Sequence, residues 1–221
     1  AFVTLFVPEE FLNIPTHGSI QYHPSLLPAY RGASAINWPI IKGEKETGLS
    51  IFWPDNGLDT GDILVQKKTP ISDTDTLGTV YFDRLFPMGV EAMLEGVDLV
   101  KAGKAPKIKQ DESKATYEGK CGPDNAKIDW GKPWEQIDRL IRGCNPAPGA
   151  WTTYDGKQLK VFDAKPLPAR DPIHSSWLPP HRGRQPCFGL LVFLLVGPLD
   201  QPLHRLRGDG RAARRPVAGS Q

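Results

Sequence analysis

The residues best suited to chemistry are a histidine and an aspartate. His23 stands in HPSLLP, where two prolines in six residues fix the backbone that follows it. A titratable ring beside a rigid loop suits general acid–base work, which demands placement within hydrogen-bond reach of the proton being moved. Imidazole also has an unperturbed pKa near neutrality. Asp59 stands in GLDTGD between Gly57 and Gly61, whose backbone freedom allows a tight turn. A carboxylate there can orient a water or pair with an imidazolium. Taken alone, each has a plainer reading: His23 as a structural hydrogen bonder at a strand end, Asp59 as a turn former accepting backbone N–H bonds.

The elements that must hold these two residues follow from hydrophobic pattern and punctuation. Residues 1–7, AFVTLFV, are apolar and β-prone up to Pro8 and read as a buried strand end. GSIQYH at 18–23 reads as a strand ended by Pro24, and 31–43 as a helix that Pro39 kinks or shortens. Strands are expected at 48–53 and 62–68, with the turn-rich PDNGLDTG between them. Residues 76–103 carry the longest helical pattern, in which Pro87 predicts a kink or a break into two helices. Strands alternating with helices predict an α/β domain with a parallel sheet. Such a sheet binds ligands beyond the carboxyl ends of its strands, where His23 and the PDNGLDTG loop would fall. Residues 104–126 are polar and read as an irregular linker. A short helix at 133–142 and two strands around Asp155-Gly156, a hairpin signal, predict the start of a second, β-rich domain.

Composition narrows the class. A hydrophobic fraction of 39% and a charged fraction of 24% suit a packed globular core, and a net charge of +2 does not mark a nucleic-acid binder. Three cysteines without CxxC spacing argue against a disulfide framework or a zinc site and favour a reducing, cytoplasmic setting. No apolar run has the length of a membrane span. The 22 glycines and 22 prolines predict many turns. Residues 172–221 change character: they hold seven arginines and seven prolines, with neither lysine nor glutamate. Two readings stand: a flexible basic tail that binds RNA or acidic partners, or a stretch produced by a reading-frame shift. No regular fold is expected there.

Beyond these residue-level readings, HPSLLPAYRGASAINW at 23–38 and GLSIFWPDNGLDTGDILVQ at 48–66 resemble the formyltetrahydrofolate-dependent formyltransferase family. The likeness runs from about residue 1 to about residue 167. The family's His and Asp are 36 residues apart, and His23 and Asp59 keep that interval. TYEGK at 116–120, IDW at 128–130 and PGAWT at 148–152 resemble the junction and carboxy-terminal domain shared by methionyl-tRNA formyltransferase and the hydrolase domain of 10-formyltetrahydrofolate dehydrogenase.

The resemblance implies a Rossmann-like formyltransferase core at 1–104, with its amino-terminal half missing. A linker at 105–126 and a partial OB-like β domain at 127–171 would follow, then the tail at 172–221. It implies formyl transfer from 10-formyltetrahydrofolate, the formyl donor, to an amine acceptor, with initiator methionyl-tRNA as a partner and no metal. The alternatives are hydrolysis of 10-formyltetrahydrofolate to formate, and an inactive folate- or RNA-binding fragment. His23 and Asp59 would be catalytic. An Asn two residues before the His stabilises the oxyanion in the family; here that position is Gln21, one methylene longer but still an amide donor. The pterin would be held by backbone of Leu5, Phe6 and Val7 and of Pro54, Asp55, Asn56, Gly57 and Leu58, with Ser50 lining the pocket or facing outward. Arg31 would contact substrate or cap the helix after it. A parallel sheet without its first half would expose an edge and apolar surface, so the chain is expected to be weakly stable and mostly inactive alone.

Overall fold

The computed structural model describes residues 7–166 and 190–193. Its centre is a three-stranded sheet of β1 (Gln21–His23), β2 (Glu46–Phe52) and β3 (Ile63–Pro70), in that spatial order. Both pairings are antiparallel, which corrects the parallel arrangement expected of these strands. Alternation of strands and helices points to parallel strands only where a helix crosses over between them. The loop 53–62 between β2 and β3 is shorter than the dozen or so residues a parallel crossover needs, so the two strands fold back as a hairpin. His23 lies opposite Ser50, and Gln21 opposite Phe52. The β2–β3 register slips between Ile51↔Val65 and Phe52↔Ile63, leaving Leu64 as a bulge beside the loop that carries Asp59.

Before the sheet comes one helical turn, α1 (Glu9–Leu12). Between β1 and β2 lies α2 (Asn37–Lys42), shorter than the pattern at 31–43 suggested. Pro39 fits because its missing N–H falls in the first turn. Gly43, left-handed at φ 81°, ends the helix by donating to the Ile40 carbonyl.

The long helical pattern resolves into α3 (Leu77–Thr79), a π-helical stretch Val80–Leu85, and α4 (Phe86–Lys101). Pro87 sits at the entry of α4, so the break expected from it takes the form of a widened turn just upstream. α4 buries Gly89, Ala92 and Gly96, a small-residue face that lets it approach the sheet. A Cβ on Gly89 would come within 2.7 Å of the Tyr22 ring. Ile40, Leu49, Ile51, Leu64, Val80 and Leu85 fill the core between α4 and the sheet.

A second core gathers around α5 (Trp134–Gly143), with Ala126, Ile128, Ile137, Ile141, Ala150 and Val161. Cys121 and Cys144, distant in sequence, meet there as buried free thiols 4.0 Å apart. The hairpin of β4 (Ala150–Tyr154) and β5 (Lys157–Val161) turns through Asp155 and Gly156 at φ 48° and 73°, the left-handed pair that a two-residue Asp-Gly loop supplies. β6 (Asp163–Pro166) pairs antiparallel with β7 (Leu190–Phe193). This strand corrects the expectation of no regular structure after residue 172. The LLVF run is apolar, and its Val and Phe favour strands. Among the described residues the two strand pairs do not close into a barrel.

Candidate active site

The sheet presents Tyr22 to α4, so strand alternation puts Gln21 and His23 together on the opposite face. His23 ends β1 and is 5% exposed. The loop after it is tied down from the neighbouring strands. The Ser50 hydroxyl donates to the Ser25 carbonyl at 2.8 Å and accepts from the Leu27 N–H at 3.2 Å. Gln66 donates to the Leu27 carbonyl at 2.9 Å. Ser50 is fully buried and its hydroxyl is engaged in this loop, so it faces neither open pocket nor solvent.

The loop returns Tyr30, at φ 58°, so that its carbonyl lies 2.9 Å from His23 Nε2. A carbonyl only accepts, so Nε2 carries the hydrogen. Nδ1 is then the unprotonated nitrogen of the neutral ring, and it faces Asp59 Oδ2 at 3.4 Å. Burial pushes the His23 pKa down from its usual value, opposed by the Asp59 charge and by the Tyr30 carbonyl. The Nδ1 lone pair of the neutral ring points at the Asp59 carboxylate, which would hold a proton taken up at that nitrogen.

Asp59 reaches this position from a constrained turn. The Asp55 carboxylate accepts from the Gly57 N–H at 2.9 Å and from the Thr60 hydroxyl at 2.6 Å. Gly61 passes so close to the Trp53 carbonyl that a Cβ would lie 1.7 Å from it. Asp59 itself is left-handed at φ 56° and 8% exposed, and its Oδ2 accepts the Gly32 N–H at 2.8 Å.

The residues linked by resemblance to the pterin differ in exposure. Leu5 and Phe6 lie outside the described residues, and Val7 is half-buried. Asp55, Asn56 and Leu58 are exposed, while Pro54 and Gly57 are half-buried. A cavity of about 370 Å³ opens between Leu12, His17, Trp53, Pro54 and Lys107. It includes Pro54 but neither His23 nor Asp59. Among the described residues, no cluster of His, Cys, Asp or Glu could hold a metal ion.

The polar stretch read as a linker holds residues that sequence reasoning passed over. Ile108 exchanges backbone bonds with Ile63 at 2.8 and 3.0 Å, adding itself to the sheet beside the bulge. Thr116 accepts the Arg31 N–H through its carbonyl and the Tyr30 N–H through its hydroxyl. Gln110 donates to the carbonyls of Asp59 and Gly61. Arg31 neither caps α2 nor stands free: its guanidinium donates to Gln110 and Glu112. The side chains of this segment that do pack are Ala105, against the core under α4, and Cys121 and Ala126, in the core around α5, small apolar residues that a polar run hides.

A family model for formyl transferases matches residues 1–97, and a model for the formyl transferase carboxy-terminal domain matches 120–184. The chain belongs to the formyl transferase family. It is 50% identical over 163 residues to cytosolic 10-formyltetrahydrofolate dehydrogenase of Pongo abelii, covering 74% of this chain and 18% of that protein. It is 45% identical over 159 residues to methionyl-tRNA formyltransferase of Caldanaerobacter subterraneus subsp. tengcongensis, covering 72% of this chain and 51% of that one. The chain thus spans less than a fifth of the first relative and about half of the second. Among solved structures it is similar to an N-formyltransferase of Helicobacter canadensis in complex with folinic acid and dTDP-3-aminofucose. That match has a TM-score of 0.57 and 25% identity over 67% of this chain and 54% of the other. No helix among the described residues is long and apolar enough to cross a membrane.

Proposed function

We propose that this core cleaves the formyl group from 10-formyltetrahydrofolate and passes it to a nucleophile, with His23 and Asp59 as the catalytic pair. The observation that carries this reading is their meeting at 3.4 Å in a buried site, each delivered by a separately braced loop. The nucleophile adds to the formyl carbon while Nδ1 of neutral His23 takes its proton. Asp59 steadies the imidazolium so formed. The amide of Gln21, on the same face as His23 and without a hydrogen bond to another described residue, donates to the developing oxyanion. When the C–N10 bond breaks, the imidazolium returns the proton to N10. Atoms balance for either acceptor: water yields formate and tetrahydrofolate, an amine yields a formamide and tetrahydrofolate. The loop 54–58 and the segment through Val7 would hold the pterin through their backbones.

Between the acceptors, the 50% identity to a 10-formyltetrahydrofolate dehydrogenase favours water, and the 45% identity to a methionyl-tRNA formyltransferase keeps the aminoacyl amine as the second reading. The chain is incubated with 10-formyltetrahydrofolate alone, and formate and tetrahydrofolate are measured. Stoichiometric formate supports water, whereas turnover only with methionyl-tRNA supports the amine. His23→Ala and Asp59→Asn should each lower kcat by about 10²–10⁴-fold, the range for a positioned acid–base group. Wild-type rates in both variants would remove the catalytic assignment.

A further inference from the structure

We propose that Gln110 is a positioning residue that sets the Asp59 carboxylate against His23, which makes the segment 104–126 part of the active site. This inference rests on the catalytic reading of His23 and Asp59 for its kinetic consequence, though not for its geometry. The Gln110 amide nitrogen donates to the Asp59 carbonyl at 2.8 Å and to the Gly61 carbonyl at 2.7 Å. Its oxygen accepts from Arg31 Nη2 at 2.8 Å and Nε at 3.3 Å. Both amide hydrogens and both oxygen lone pairs are thereby used, the full capacity of the side chain, and all of it is directed at the loops that carry the site.

These bonds close a circuit. His23 leans on the Tyr30 carbonyl, and Gly32, two residues on, holds Asp59 Oδ2. Arg31 lies between Tyr30 and Gly32 and grips Gln110, which in turn holds the backbone of Asp59. A left-handed non-glycine residue persists only where its surroundings over-determine it. Gln110 supplies that restraint at the Asp59 carbonyl and again two residues beyond it, at Gly61. Glutamate at 110 would keep the shape and the grip of Arg31, but would set a carboxylate against two carbonyls. Methionine would keep the volume and lose every bond. The neighbouring Glu112 is a weak candidate for the same role. Its carboxylate is 66% exposed in its pair with Arg31, and exposed pairs contribute little.

The test uses the full 221-residue chain with Gln110→Met, Gln110→Glu and, as a control, Glu112→Gln. Two quantities are read: kcat and KM on 10-formyltetrahydrofolate, and hydrogen exchange of the Gly32 amide against the β2 and β3 amides. Both Gln110 variants are expected to lose about 10²-fold in kcat, the scale of a misplaced catalytic group, with KM changed by no more than about threefold. The Gly32 amide should exchange about tenfold faster while the strand amides keep their protection. Glu112→Gln should behave like the parent. Parent-like kcat and Gly32 exchange in Gln110→Met would overturn the proposal. So would a loss of kcat accompanied by equal loosening of β2 and β3, because that marks a general fold defect. If the parent chain itself does not turn over the folate, the catalytic reading fails at that step. Gly32 exchange then decides the positioning role alone.

Discussion

At the scale of the residue, the site depends on which nitrogen of His23 carries the proton. The Tyr30 carbonyl places the hydrogen on Nε2 and leaves Nδ1 as the nitrogen that the proposed mechanism uses as its base. Because burial lowers the His23 pKa, the ring is neutral at pH 7 and remains so somewhat below pH ~6.5, the ordinary value for histidine. The acid limb of kcat should therefore lie below that value, and His23→Gln should abolish the limb together with most of the activity. The same shift has a stability consequence. In the unfolded chain the ring titrates normally, so below about pH 6.5 the unfolded state binds more protons and stability falls with pH. The contribution is present above the unfolded pKa and is lost as pH drops through the folded one. In His23→Gln the decline of stability between about pH 6.5 and pH 5 should be shallower, as measured by urea midpoints across that range. Equal slopes in both chains would show that the ring is not neutralised by folding.

Single residues were unevenly legible in sequence. His23 and Asp59 stood out through their paired motifs, since rigid punctuation around titratable side chains is a local feature. Gln110 could not stand out. Its importance comes from two carbonyls about fifty residues upstream, and a glutamine among lysines and acids has the composition of a solvated linker. Ser50 was legible as a special position but not as a loop brace, because what its hydroxyl meets depends on the antiparallel pairing of β1 with β2.

At the scale of the element, hydrophobic period gave helix and strand locations well and their relations poorly. The Asp155-Gly156 hairpin was readable because both turn residues need positive φ, a demand of the chain itself. The antiparallel β2–β3 pair was readable from the short loop 53–62, whereas the direction of β1 was hidden because a helix of the kind that crosses over between parallel strands lies between β1 and β2. The length of α2 was overestimated because residues 31–36 supply apolar side chains to the core from turns, without helical backbone. The close seating of α4 on the sheet yields a clear prediction. Gly89 touches the Tyr22 ring so tightly that a side chain must displace either the ring or the helix. Gly89→Val should destabilise the chain by about 1–3 kcal/mol, as overpacking does, even though leaving glycine normally favours a helix. Thermal or urea unfolding measures it. A variant as stable as the parent would show that α4 can shift freely on the sheet, which would also release β1 and His23.

At the scale of the whole molecule, the two larger of the three cores among the described residues share one short helix. α2 gives Ile40, with Ile36 just before it, to the core under α4, and Trp38 and Ile41 to the core around α5. The two helices approach closely, for a Cβ on Gly143 would come within 2.5 Å of Ile41. At the crossing, the buried Asn37 amide donates to the Gly143 carbonyl at 2.8 Å and to the Ala147 carbonyl at 3.2 Å. Those carbonyls sit where α5 ends and the chain turns toward β4, so this side chain serves the Gly143 carbonyl while the Leu140 and Arg142 carbonyls accept the N–H groups of Cys144 and Asn145. Removing it should leave buried acceptors unsatisfied, at about 1–3 kcal/mol for each group. The loss falls on the junction and not within either core. In the parent, amides of β2 and α5 should therefore exchange through a common opening, as parts of one cooperative unit do. In Asn37→Ala the α5 amides should open with a free energy lower by about 2 kcal/mol while β2 keeps most of its own. An equal fall in both sets would mean that the cores remain one unit and that packing of Trp38 and Ile41 is what couples them. The distinction bears on function, because the Tyr30 turn and the loop beyond His23 lead directly into α2. A junction that opens independently would let the carboxy-terminal part move without disturbing the His23–Asp59 pair, whereas a shared opening would tie every such movement to the site.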